Sequence, residues 1–97
     1  MKILINDLRD GYLKTEFIEE KRISLNKTID NENSQNFIVS LSINNEIITS
    51  FHCNSDEFVK LQNYFNDAIL SDGLLEINIE LNCNGNMILK SLNLKKD

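Results

Sequence analysis

The period of the hydrophobic pattern changes twice along this chain, and that change restricts the fold more than any other feature. Over residues 55–71, Phe58, Leu61, Phe65, Ala68 and Ile69 recur at three- and four-residue spacings, with Tyr64 beside them and Gln62, Asn63, Asn66 and Asp67 opposite. That spacing makes one apolar stripe on a helix. On both sides of it the period drops to two. Leu75, Ile77, Ile79 and Leu81 alternate with Glu76, Asn78, Glu80 and Asn82, while Phe37, Val39, Leu41 and Ile43 alternate with Ile38, Ser40 and Ser42. Strands with one apolar face and a helix with one apolar stripe satisfy each other by packing those surfaces together, an α+β arrangement.

Local signals sharpen the elements. Asn54 or Ser55 suits the helix N-cap, and Asp56 and Glu57 suit the positive end of the macrodipole. With Asn54 as the cap, Glu57 occupies the capping-box position, and Gly73 suits the left-handed residue past the C-terminus. Asn84-Gly85 predicts a two-residue type I′ turn pairing Leu81 with Ile88, Ile77 with Leu92 and Leu75 with Leu94. Lys90 opposite Ile79 is the one discord in that register. For the earlier hairpin a three-residue loop, Asn44 to Glu46, pairs Ile43 with Ile47, Val39 with Phe51 and Phe37 with Cys53. It gathers the large apolar residues on one face, which a two-residue Asn44-Asn45 turn does not.

The first third is less regular. Residues 22–30 alternate as a strand, 31–36 hold no apolar residue and read as a loop, and Met1 to Asn6 reads as a short strand. Residues 7–20 suit either a turn into a strand around Leu13, Phe17 and Ile18 or an irregular helical turn. The expected order is β-β-β-β-α-β-β: one α+β domain over residues 1–97, with an antiparallel sheet of about five to six strands and the helix on one face. The helix stripe should bury Val39, Leu41, Phe51, Ile77 and Ile79 and leave Ser24, Asn26, Thr28, Ser40, Ser42, Glu76, Asn78 and Glu80 facing solvent.

Charge and composition narrow the function classes. The net charge is −5, and residues 37–89 hold seven acids against the single base Lys60. Such a chain is not expected to bind nucleic acid directly through its phosphates. No apolar run approaches a membrane span, and Ile3-Leu4-Ile5 is too short for a secretory signal. Cys53 and Cys83 then read as free thiols in a reducing cytoplasm. Fifteen Asn and thirteen Ile, with eight Lys against two Arg, are what AT-rich codons supply, and they also furnish a surface of amide hydrogen-bonding groups.

No catalytic constellation emerges. The lone His52 is adjacent to Cys53 in a strand, so the two side chains point to opposite faces. His52, Cys53 and Cys83 lack the paired spacing of a zinc site. A calcium loop beginning at Asp30 lacks its glycine and its closing glutamate, and the three glycines stand apart. Glu76 and Glu80 lie roughly 13 Å apart along a strand, beyond the separation of a glycosidase pair. The expectation is a protein that is not an enzyme and takes no cofactor.

What remains is a binding surface. Glu57, Asp67 and Asp72 on and around the helix, with Glu76, Asn78 and Glu80 on the outer sheet face, are the residues expected to meet a basic protein partner, such as a nuclease or another nucleic-acid-binding protein. By analogy of size and composition, small acidic α+β proteins of AT-rich genomes are often phage or mobile-element inhibitors of host defence, and others are immunity proteins that neutralise a toxin. A different class is a self-assembling module. Its edge would lie near residues 37–43, with Met87, Leu89, Ile38 and Ile48 forming an apolar contact patch.

Overall fold

Three hairpins, one added strand and one helix build the molecule, whose computed structural model describes residues 1–19, 22–30 and 35–96. In chain order the strands are β1 (Lys2–Arg9), β2 (Tyr12–Glu19), β3 (Ile23–Ile29), β4 (Asn36–Ile43) and β5 (Glu46–Asn54). Helix α1 (Ser55–Ser71) follows, and β6 (Leu74–Leu81) and β7 (Met87–Lys95) close the chain. All seven strands form one sheet in the order β2-β1-β6-β7-β5-β4-β3.

The α+β expectation holds in outline, with two corrections. The sheet has seven strands rather than five or six, because residues 7–20 complete β1 and supply all of β2. It is also mixed rather than antiparallel: β1 runs parallel to β6 over Lys2–Leu8, and β5 runs parallel to β7 at the pair His52–Ile88. Alternation marks a strand's faces but carries no information on its neighbour or direction. Much of the expected 31–36 loop, residues 31–34, lies outside the described residues, while Asn36 opens β4.

The helix is capped at its N-terminus as its sequence predicts. Glu57 N–H donates to Asn54 Oδ1 at 2.8 Å and Asn54 N–H to Glu57 Oε1 at 2.9 Å, a complete capping box. At the other end the left-handed residue is Asp72 (φ 52°), not Gly73. Gly73 N–H donates to Ala68 O, and a Cβ at Gly73 would lie 2.8 Å from Lys95 O. Glycine is therefore required there by close approach to β7 rather than by its dihedrals.

The turns exchange the roles their sequences suggest. Asn44 (φ 52°) and Asn45 (φ 67°) form a two-residue turn with the left-handed pair of type I′, and Ile43 faces Glu46 across it. The expected pairs Val39–Phe51 and Phe37–Cys53 are nevertheless present. A bulge at Ile48 absorbs the extra residue, where a longer loop was expected to. At the other hairpin Asn84 is not left-handed. Gly85 (φ 83°) instead donates to Asn82 O, and Asn82 Oδ1 accepts from Asn84 N–H and Asn86 N–H. The Asn82 side chain thus organises a longer loop from within.

A bulge also resolves the Lys90 discord. Ile77–Leu92 and Leu75–Leu94 pair as expected, but past Asn78–Ser91 the register slips. Ile79 then faces Leu89, and Leu81 faces Met87 rather than Ile88. Lys90 leaves the ladder and places its Nζ 3.6 Å from Glu80 Oε2. The slip turns Leu89 into the core instead of a lysine, a gain of buried apolar area that offsets the broken ladder.

The core lies between α1 and the inner sheet face. Phe58, Leu61, Phe65 and Ala68 meet Ile3, Ile5, Val39, Leu41, Phe51, Leu75, Ile77 and Ile79. Ile69, expected in the stripe, is 53% exposed, since Ala68 takes the central position. Cys53 is buried, but Cys83 is exposed in the β6–β7 loop rather than on the apolar side.

Candidate functional site

Strand β6 is central in its half of the sheet, so its two faces are defined by neighbours on either side. Leu75, Ile77 and Ile79 are buried under the helix, which turns Glu76, Asn78 and Glu80 to the opposite, outer face as expected. There they join a row of polar side chains crossing four strands. Thr15 Oγ1 donates to Asn6 Oδ1 at 3.0 Å, Asn6 Nδ2 to Asn78 Oδ1 at 2.8 Å, and Asn78 Nδ2 to Ser91 Oγ at 3.0 Å. Asn6 Nδ2 also reaches Glu76 Oε1 at 3.2 Å. Registry produces this row, because parallel β1–β6 pairing sets Asn6 against Asn78 and antiparallel β6–β7 pairing sets Asn78 against Ser91.

The other half of the outer face is polar too, with Ser40 and Ser50 Oγ atoms 3.0 Å apart and Asn26 Nδ2 donating to Ser42 Oγ at 3.3 Å. His52 stands on this face, with Nδ1 3.3 Å from Asp30 Oδ2, while Cys53 points the opposite way into the core. Burial, with a smaller contribution from the Glu57 carboxylate, pushes the Cys53 thiol up to about 11. The adjacent histidine and thiol therefore form no dyad.

The six residues singled out from sequence fall into two groups. Glu76, Asn78 and Glu80 stand side by side on the outer face. Glu57, Asp67 and Asp72 belong to the helix layer, on the other side of the sheet, and have local roles there. Glu57 closes the capping box, the Asp67 carbonyl accepts from Ser71 Oγ at 2.7 Å, and Asp72 is the left-handed cap, its carboxylate 3.6 Å from the Met1 ammonium. One continuous acidic surface across all six is not formed.

A second concave feature was not legible in the sequence. Beyond the helix, the inner face of β1 and β2 becomes charged: Asp7, Arg9, Lys14 and Glu16 face Ile48, Thr49 and Ser50 of β5 across a groove. Arg9 Nε and Nη2 donate to the Asp7 carboxylate at 3.0 and 3.1 Å, and this contact holds the guanidinium charged still more firmly. Two acids and two bases balance, so the groove has no net sign. The Asp10-Gly11 turn, with both residues left-handed, is what brings Lys14 and Glu16 back beside β1.

Among the described residues, no three His, Cys, Asp or Glu side chains converge as a metal site, and no helix is long and apolar enough to cross a membrane. Comparison with known proteins finds no family model, no curated protein and no solved structure that matches the chain.

Proposed function

We propose that this chain is a binding protein without catalytic activity, which engages a basic protein partner through the outer face of its sheet around Glu76, Asn78 and Glu80. One observation carries the reading: the two carboxylates of β6 and the amide–hydroxyl row that crosses β2, β1, β6 and β7 share a single surface of the sheet, opposite the helix. Carboxylates bring electrostatic attraction, and hydrogen-bonded amides hold a surface in fixed register. Glu80 stays 41% exposed beside Lys90, within reach of an incoming cation.

A basic groove is the usual equipment of nucleases and other nucleic-acid-processing proteins, and these are the proposed targets. The reading makes the chain an inhibitor acting in the cytoplasm, encoded by a phage or mobile element, with a toxin-neutralising immunity protein as the second form of the same chemistry. Mimicry of nucleic acid is partial at best. Glu76 and Glu80 are roughly 13 Å apart on the strand, against one charge per roughly 1.7 Å of duplex axis.

The test is affinity capture from the native host at low and high salt, using wild type, E76Q/E80Q and D67N/D72N. A basic partner should be recovered at low salt and released as salt rises, E76Q/E80Q should weaken capture, and D67N/D72N should not. Capture that only the helix pair abolishes would move the site to the other layer. Capture indifferent to all four acids removes the proposal.

A further inference from the structure

A seven-stranded open sheet has two edges, and their inward-facing charges differ. Edge strand β3 points Lys27 to the inner face, its Nζ 4.7 Å from the centroids of Phe37 and Phe58, an inward lysine of the kind that discourages a further strand. Edge strand β2 also turns a lysine, Lys14, to its inner face, but there Lys14 stands two residues from the oppositely charged Glu16, and every residue of the strand except Ile18 is exposed, Leu13 at 64% and Phe17 at 56%. The edge expected near residues 37–43 is instead β4, an interior strand, and of its apolar patch Leu89 is buried while Met87 and Ile48 pack against the core.

We propose that two copies of the chain pair β2 against β2, antiparallel about a twofold axis at Thr15, to form one continuous sheet. The hydrogen-bond phase permits it. Arg9 and Tyr12 flank the two-residue turn and so form a bonded pair, and the phase then alternates along the hairpin. Lys14 and Glu16 bond inward to β1, and Leu13, Thr15 and Phe17 present their N–H and C=O groups to the open edge. With Thr15 facing Thr15, those outward groups exchange hydrogen bonds between copies, Leu13 with Phe17 and Thr15 with itself.

The side chains select this register. Leu13 of each copy meets Phe17 of the other on the outer face, and Lys14 meets Glu16 on the inner face. Opposite charges and apolar pairs directly across an antiparallel ladder stabilise it, and like charges destabilise it. A slip that keeps the hydrogen-bond phase sets Lys14 against Lys14 in one direction and Glu16 against Glu16 in the other. The strand Leu13-Lys14-Thr15-Glu16-Phe17 is therefore complementary to itself in one register and repelled in both neighbours. Such an isologous, closed contact gives a dimer and not a fibre.

Light scattering on the eluting peak at about 100 µM, where even a small interface is populated, is the test. Wild type should show twice the chain mass. K14E and E16K should each run at the mass of one chain, since each places like charges opposite one another. An equimolar mixture of the two should recover the dimer, because the pairing then matches acid with base on both sides. T15P, whose lost N–H faces outward at an edge, should keep the helix and strand circular dichroism of wild type and run as one chain. A wild type that stays monomeric overturns the proposal, as does a dimer that survives K14E, E16K or T15P, or a mixture that fails to associate. If a single charge variant unfolds, the swapped K14E/E16K chain decides: it must dimerise. Mass is read here without any partner, so this result is independent of the capture experiment.

Discussion

At the scale of single residues, the two thiols show how placement overrides composition. Cys53 and Cys83 are both free, yet one is buried between strand and helix and the other lies in an exposed loop. One thiol per folded chain should react quickly with a thiol reagent, and C83S should abolish that phase; fast labelling in C83S would place Cys53 at the surface. Burial also gives Cys53 a pH signature. Its folded value of about 11 lies above the ordinary 9.0, so the neutral thiol is favoured by the fold. That contribution is complete below pH 9 and is lost as pH rises toward 11. Wild type should lose stability more steeply than C53A across that interval in denaturant titrations, and equal slopes would contradict the burial.

Among the elements, the helix was the most legible because its N-cap and apolar stripe are local, although its last turn departs from the reading at Ile69 and Asp72. Phe65→Ala should cost about 3–5 kcal/mol, as for a buried aromatic, and Asn66→Ala on the opposite side should be nearly neutral. Chemical denaturation of the pair checks the orientation. The turns were misassigned because Asn-Gly is the strongest type I′ signal in peptide terms, whereas here Asn82 takes over with its side chain and Asn44-Asn45 adopts the left-handed pair. Gly85→Ala should therefore cost about 1–2 kcal/mol for its positive φ, and Asn84→Ala should cost little. Comparable losses at both would restore the type I′ reading. Strand β2 was hard to see for a different reason: Lys14 and Glu16 occupy its inner face, so the alternation that marks a half-buried strand is absent.

For the whole molecule, the joint between β5 and β7 matters most. The ladder there is the single pair His52–Ile88, and α1, reached from β5 and leading into β6, bridges it on the inner face. Strands β2-β1-β6-β7 and β5-β4-β3 are thus two well-paired blocks braced by one helix. Hydrogen exchange should find the slowest amides inside each block and faster ones at the joint, and uniform protection across β5 and β7 would contradict this. Any site on the outer face inherits the division: Glu76, Asn78 and Glu80 lie in the first block and His52 in the second.

The amino-acid sequence by itself determined which residues form the helix, its N-cap, the inner and outer faces of β4 and β6, and hence that Glu76, Asn78 and Glu80 face away from the core. These follow from interactions within a few residues and from a periodicity that each element carries alone. Only the tertiary structure decided that β1 lies beside β6 in parallel, that bulges fall at Ile48 and Lys90, and that β2 and β3 are the edges of the sheet. Those choices depend on burying apolar area between segments some seventy residues apart, such as the paired and buried Ile5 and Ile77. No local pattern encodes a distant partner, and a slip of one residue is settled by which side chain the shared core accepts.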